Sequence, residues 1–363
     1  MTATQGIVVR WTASPTADAA REAKLSSPGF GRYFTDHMIT ATWRTGRGWR
    51  DLAIGPLAPF SLQPAALVLH YAQTIFEGLK AYRHDDDSVW LFRPDVNARR
   101  FRTSARRLAM PELDETTFVE SVAALVRADE PWVPQSTGER TLYLRPFMFA
   151  TEPFLGYRPA TDFRYSVIAS PVGSFFADGV QGARLWVSDR FARAGRGGTG
   201  AIKCGGNYAA GLAAQKEAEE QGCQQVLHVD PTDGDTVAES GAANLFVVTA
   251  DGLLVTPELG TILPGVTRDS VLALAAEHGL TAVERRVGLG ELRTGCDSGE
   301  VVEMFSVGTA AVVTPVLAIQ GADFSCRIGT GEPGERSLHI REHLLDIQYG
   351  RAADRYGWLH RVC

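Results

Sequence analysis

The sequence predicts an α/β protein of two domains, and three observations carry that expectation. The chain has 363 residues, more than a single hydrophobic core usually organises. Strand-like and helix-like segments alternate along most of it. Its composition shifts at Pro171 to Gly182, a glycine-rich stretch that reads as a linker. The predicted division is therefore 1–170 as an N-terminal domain, 171–182 as the interdomain linker and 183–363 as a C-terminal domain.

The elements follow from local pattern. Residues 1–29 are polar and are expected to be partly unordered. Strand-like and turn segments alternate from Phe30 to Trp90, and Asp36–Trp43 keeps a period of two until Gly46 and Gly48 break it. Pro94 suits the first turn of a helix, and Val96, Phe101, Leu108 and Met110 extend it to a stop before Pro111. A second helix is predicted over Glu115–Arg127, with Phe118, Val122, Leu125 and Val126 on one face. Thr141–Leu144, Tyr165–Ala169 and Arg184–Val187 read as strands. Asn207 is expected to cap a helix that runs to Gln221 and closes at Gly222, before a strand at Gln225–Val229. Asp251-Gly252 between two apolar runs predicts a hairpin. A helix over Val266–His278 stops at Gly279. Strands follow near Ala282–Val287, Val301–Phe305 and Val312–Ile319, and an amphipathic helix at Leu338–Tyr349.

Composition excludes several classes of function. The net charge of −6 and the lack of a basic stripe argue against a nucleic-acid partner. Asp85-Asp86-Asp87 is short enough to be a solvated turn. The five cysteines are odd in number and far apart, so neither a disulfide framework nor a metal site is expected. Met1–Pro15 lacks the basic start and apolar core of a signal peptide, and no apolar run reaches membrane length; Ala65–Leu69 stops at His70. The expected compartment is the cytoplasm, with no membrane partner.

Four features point to one chemistry. Lys203 lies in the glycine-dense loop Gly197–Gly206, where backbone can approach a ligand and a partly buried amine can attack a carbonyl. Glu239, between a strand end and a strand start, could pair with a protonated ring nitrogen. Leu263-Pro264-Gly265-Val266-Thr267-Arg268 opens a helix whose amides and dipole suit an anion. Gly308-Thr309-Ala310 follows a strand and can offer amides and a hydroxyl. Each is weak alone. Together they supply an amine nucleophile, a ring-nitrogen partner and a phosphate cradle, the three needs of pyridoxal 5'-phosphate.

The chain resembles the fold-type IV pyridoxal-phosphate enzymes, and among them the branched-chain amino acid aminotransferases. The resemblance covers about Phe30 to Leu359. It rests on Phe34-Thr35-Asp36-His37-Met38, Ile75–Tyr82, Ser104–Leu108, Tyr143-Leu144-Arg145-Pro146, Lys203–Tyr208, Ile262–Arg268 and Gly308–Val316, in the family's order. It implies a smaller N-terminal α/β domain and a larger C-terminal domain with a mixed, β-barrel-like sheet and flanking helices. It also implies transamination of leucine, isoleucine and valine with 2-oxoglutarate or glutamate.

The resemblance assigns roles by position. Lys203 would hold the cofactor covalently and shuttle the substrate's α-proton. Glu239 would face the pyridine nitrogen, and Tyr208 the ring hydroxyl. Arg100 would grip the phosphate with its two-bond fork, joined by the backbone of Val266 and Thr267 and by Thr309. Phe30, Tyr71, Phe76, Tyr143, Arg145 and Phe175 would line the side-chain pocket, with Tyr143 and Arg145 receiving glutamate's distal carboxylate. Ala242 and Ala310 would lie near the α-carboxylate. Leu155 and Tyr157 match a loop that reaches the neighbouring subunit, which implies a homodimer.

The chain also departs from the family's pattern. Ala243 stands where a methionine is usual, Ala242 replaces glycine or threonine, and Phe175 stands where many relatives carry tyrosine. Ala311 and Thr314 occupy the positions of a Cys-x-x-Cys pair, so redox regulation of that kind is not expected. These changes leave open a specialised paralogue acting on unusual or β-branched amino acids. The fold's other activities, a D-amino acid aminotransferase or an aminodeoxychorismate-type lyase, are the remaining alternatives.

Overall fold

The computed structural model describes residues 7–174 and 180–363. Phe175, expected in the substrate pocket, lies outside the described residues. The chain forms two units. The first gathers 1–175, 203–205 and 346–363; the second gathers 176–202 and 206–345. The last residues of the chain, 346–363, group with the N-terminal unit. Lys203 groups with this first unit. Among the described residues no helix is long and apolar enough to cross a membrane.

In the first unit the strands are β1 (Val8–Val9), β2 (His37–Arg44), β3 (Gly48–Pro56), β4 (Thr74–Phe76), β5 (Leu79–Arg83), β6 (Val89–Phe92), β7 (Thr141–Ala150) and β8 (Asp162–Val172). Its helices are α1 (Asp18–Ser26), α2 (Leu67–Tyr71), α3 (Pro94–Arg107) and α4 (Glu115–Ala128). The sheet order is β1-β3-β2-β8-β7-β5-β6, extended by the C-terminal strand Leu359–Arg361, while β4 pairs with β7. That strand runs antiparallel to β6, which is why residues 346–363 join this unit. The central pair β7–β8 holds register from Thr141↔Val172 to Ala150↔Phe163.

From Ile7 onward the N-terminal residues pack on the first unit. β1 adds a parallel edge to β3, and Thr16 donates its amide and its hydroxyl to Asp36 Oδ1 at 3.1 and 2.6 Å. Trp132 Nε1 donates to the other oxygen of Asp36 at 2.9 Å. α4 buries the predicted face, Phe118, Val122, Leu125 and Val126, whereas α3 ends at Arg107, before the predicted Leu108 and Met110, and Val96 is half-buried. α3 starts at Pro94 and buries Asn97, Ala98, Arg100, Phe101, Ser104 and Ala105. Asp114 caps α4 by accepting the Thr117 amide at 3.2 Å. Phe101, Phe118 and Tyr165 meet between these helices and the sheet, with ring centroids 5.3–6.4 Å apart.

The second unit contains β9 (Ala183–Val187), α5 (Gly205–Glu220), β10 (Gln225–Val229), β11 (Val237–Ser240), β12 (Asn244–Thr249), β13 (Leu253–Pro257), α6 (Val266–Leu274) and β14 (Thr281–Arg285). It continues with α7 (Leu289–Ser298), β15 (Val301–Gly308), β16 (Val312–Gln320), β17 (Ser325–Arg327) and α8 (Glu335–Gln348). The sheet order is β11-β10-β9-β16-β15-β12-β13-β14, with β17 on β16. It is mixed: β9 runs parallel to both β10 and β16, and β13 to β14, while the other pairs are antiparallel. Its core includes Leu185, Leu227, Leu245, Val255, Met304 and Ile319.

The Asp251-Gly252 turn forms the predicted hairpin, with Gly252 at φ 88°. The predicted helix over Val266–His278 tightens to a 3₁₀ turn at Ala275–His278 before Gly279 ends it at φ 66°. Asn207 does not cap α5; it sits inside the first turn and uses its side chain differently, as described next.

Candidate functional site

In the first unit, residues 203–205 lie along β4. Phe76 donates its amide to the Lys203 carbonyl at 3.0 Å, Cys204 bridges to Ile75, and the Lys203 amide donates to Ser104 Oγ at 3.1 Å. The lysine backbone is thus fixed by a strand edge and a buried helix serine. Its half-buried Nζ stands 4.9 Å from the centroid of the Phe76 ring.

Phe76 also receives the Arg145 guanidinium at 4.8 Å. Arg145 donates from Nη2 to the Tyr143 hydroxyl at 3.1 Å, and its Nε is buried with no hydrogen bond among the described residues. Phe30 is half exposed and lies edge-on to Tyr143 at 5.2 Å. A side chain at position 78 would place a Cβ 2.0 Å from the Tyr143 hydroxyl, so Gly78 is what lets this tyrosine lie flat against the strand. Phe30, Phe76, Tyr143 and Arg145 therefore form one cluster.

Arg100 is engaged by a buried carboxylate. Its Nε and Nη2 donate to the two oxygens of Glu77, each at 2.7 Å. Asn97 Nδ2 adds a bond to Glu77 Oε2 at 2.8 Å. Tyr71 lies apart from this cluster, on a surface formed with the loop predicted to face a neighbour. Its hydroxyl donates to the Leu155 carbonyl at 2.5 Å, and its ring lies 5.9 Å from that of Tyr157. Leu155 is 60% exposed and Tyr157 93%.

In the second unit, Glu239 lies in β11 and is 2% exposed. Its Oε1 accepts the Leu263 amide at 2.9 Å and Asn244 Nδ2 at 3.1 Å; its Oε2 pairs with Arg193 Nη2 at 2.8 Å. Asn244 Nδ2 also donates to the Leu263 carbonyl at 2.9 Å, and a Cβ at Gly265 would sit 2.0 Å from Asn244 Oδ1. The glutamate is therefore tied directly to the turn that opens α6. Among the described residues no side chain caps that helix start at Gly265, and Val266 and Thr267 are buried there.

The loop leading to Lys203 is stitched from the same unit. Asn207 Nδ2 donates to the carbonyls of Thr199 and Ile202 at 2.7 and 2.9 Å, while Thr199 Oγ1 donates to Asn207 Oδ1 at 2.6 Å. Gly200 is packed so closely that a Cβ would lie 1.9 Å from the Thr261 carbonyl. Burial, joined by the nearby charge of Arg193, lowers the His228 imidazole from its ordinary 6.5 to about 4, so this histidine is neutral near pH 7. Tyr208, Thr309 and Ala310 are half-buried, and Ala242 is exposed next to Gly241 at φ 56°.

Sequence reading missed Arg193 and gave Glu77 and Ser104 no role. Arg193 stands in a run with Arg190 and Arg196 that reads as a solvated face, and nothing local marks it as buried. The residues present fit pyridoxal phosphate. A carboxylate buried as deeply as Glu239 stays charged only beside a cation, and the uncapped start of α6 suits an anion.

Residues 74–319 match the family described as class IV amino-transferases, and the chain belongs to that family. Along 96% of both chains it is 50% identical to the branched-chain-amino-acid aminotransferase of Mycobacterium tuberculosis. It is also 50% identical, over 99% of both chains, to a probable branched-chain-amino-acid aminotransferase of Streptomyces coelicolor. Among solved structures it resembles the T.th. branched-chain amino acid aminotransferase with pyridoxamine 5'-phosphate, at TM-score 0.71 and 30% identity, covering 89% of this chain and 98% of that one. The Escherichia coli branched-chain amino acid aminotransferase superposes at TM-score 0.74 with 26% identity, covering 89% and 99%.

Proposed function

We infer that this chain is a pyridoxal-phosphate-dependent transaminase that moves the amino group of leucine, isoleucine and valine to 2-oxoglutarate, and back. The observation that carries the reading is 50% identity along 96% of the chain to an aminotransferase of that class. The cofactor supplies an aldehyde that bonds an amine and a protonated ring that withdraws electrons from the substrate α-carbon.

The roles of this chain's residues follow from their surroundings. Lys203 holds the cofactor, and its Nζ takes and returns the substrate's α-proton; the two backbone hydrogen bonds to Phe76 and Ser104 keep it in place. Glu239 accepts the ring N–H, and its charge is supported by Arg193. Tyr208 donates to the ring hydroxyl. The amides of Val266 and Thr267 and the hydroxyl of Thr309 bind phosphate, joined by Arg100, which Glu77 orients.

Phe30, Phe76 and Tyr143 provide apolar walls for the aliphatic side chain. Arg145, whose Nε has no partner among the described residues, accepts the distal carboxylate of glutamate together with the Tyr143 hydroxyl. Ala242 and Ala310 border the α-carboxylate. The chain acts in the cytoplasm as a homodimer in which the exposed Leu155 and Tyr157, with Tyr71, cover the partner's substrate entrance.

Two measurements test this. Lys203→Ala should abolish turnover and the visible absorbance of bound cofactor; retained transamination would refute the assignment. A panel of L- and D-amino acids with 2-oxoglutarate should show highest kcat/KM for L-leucine, L-isoleucine or L-valine. A preference for D-amino acids, or for an unusual β-branched substrate, would instead select one of the alternatives.

A further inference from the structure

Arg193 follows β9 and is 9% exposed, although Arg190 and Arg196 stand three residues to either side. Its Nη2 donates to Glu239 Oε2 at 2.8 Å and to the Gly200 carbonyl at 3.2 Å, and its Nη1 donates to the Thr261 carbonyl at 3.4 Å. Gly200 belongs to the loop that ends in Lys203. Thr261 belongs to the turn whose Leu263 amide holds the other oxygen of Glu239. One guanidinium therefore joins the carboxylate to both loops.

The physical consequence concerns charge as well as direction. A carboxylate with 2% exposure loses its hydration and remains ionised only if a cation replaces it. Arg193 is that cation, and its planar fork also fixes where the carboxylate points, which a single ammonium cannot do as well. The neighbouring His228 is held neutral, so it does not compete for Glu239 as a second cation.

We propose that Arg193 is a positioning residue for this transamination: it keeps Glu239 ionised and aimed, and through Glu239 keeps the cofactor's pyridine nitrogen protonated. The proposal rests on the reading of Glu239 as the ring-nitrogen partner, and the test separates the two.

Holoenzyme is reconstituted with pyridoxal phosphate labelled with ¹⁵N in the ring, for wild type, R193K, R193Q and E239Q, and the ring-nitrogen signal and kcat and KM for leucine are measured. In R193Q the signal should move from the protonated toward the neutral position, with kcat down about 100-fold and KM within about threefold. R193K should restore much of both. An R193Q enzyme with a protonated signal and kcat within about threefold of wild type would overturn the proposal. If E239Q shifts the signal and R193Q does not, only the role of Arg193 falls; if E239Q leaves it protonated, the reading of Glu239 falls too.

Thermal unfolding of the cofactor-free proteins gives an independent readout. R193Q should lose about 6 °C or more in Tm, and the double variant R193Q/E239Q should regain at least half of that loss, because no charge is then stranded. A double variant no more stable than R193Q would show that Arg193 serves packing alone, and overturn the proposal. Should R193Q fail to fold, the double variant decides: its folding supports the proposal and its failure refutes it.

Discussion

Replacing Glu77 by glutamine should damage the protein more than any surface charge change. Glu77 is 0% exposed, and Arg100 is 8% exposed. The two make a parallel pair of 2.7 Å bonds, with Asn97 as a third donor. Glutamine keeps the shape, but it removes the negative charge and turns an amide NH₂ toward guanidinium or Asn97 hydrogens. Arg100 is then left charged in a buried place, a change that costs about 3–5 kcal/mol. For a unit of this size that corresponds to a fall in Tm of roughly 6–20 °C. The assay is thermal unfolding of the cofactor-free protein, paired with equilibrium dialysis of pyridoxal phosphate. Dialysis should show at least about tenfold weaker binding, because Arg100 loses the partner that orients it. E77M/R100M, which removes both charges, should recover most of the stability and none of the affinity. If E77Q unfolds within about 1 kcal/mol of wild type, the pair is not acting as a buried ion pair and the reasoning is wrong.

Other perturbations test the remaining parts. Because His228 is held at about 4 in the fold against 6.5 ordinarily, the unfolded chain binds a proton first as pH falls. Its contribution is complete above pH 6.5 and is lost as pH drops toward 4. The urea-unfolding free energy of H228Q should therefore fall about 2 kcal/mol less than that of wild type between pH 7 and pH 4.5; an equal fall would refute the assignment. G265A drives a Cβ to 2.0 Å from Asn244 Oδ1 and should cost about 1–3 kcal/mol while weakening cofactor binding; unchanged stability and affinity would show that the turn yields freely. R145M should raise the KM for 2-oxoglutarate about 10- to 100-fold and that for leucine less than about threefold, since only the former brings a distal carboxylate. Equal changes in both would place Arg145 in general packing.

Much of the fold could be read because its signals are local. The apolar spacing in Glu115–Ala128 and the Asp114 cap specify a helix within one stretch of chain. Asp251-Gly252 specifies a hairpin because its turn needs a positive φ that glycine adopts at little cost. The Lys203 loop and Glu239 stand out in the sequence as candidates, because their residue types at those places suit one cofactor. Within the N-terminal segment the described residues are held by Asp36 and the edge of β3, partners that the segment's own polarity does not announce. Asn207 was misread for a related reason, since a side chain that could cap a helix can equally reach back to the carbonyls of Thr199 and Ile202.

By itself, then, the sequence determined many of the helices and strands and several tight turns, and it named candidate residues for the chemistry. Each of these depends on neighbours a few residues away. Only the tertiary structure decided that Arg100 grips Glu77, that Arg193 grips Glu239, that Lys203 is fixed along β4, and that the last strand completes the first sheet. The reason is that a buried charge is stable only beside its counter-charge. Which of the chain's many arginines meets which carboxylate is settled by the packing that brings distant strands together, not by the residues next to either one.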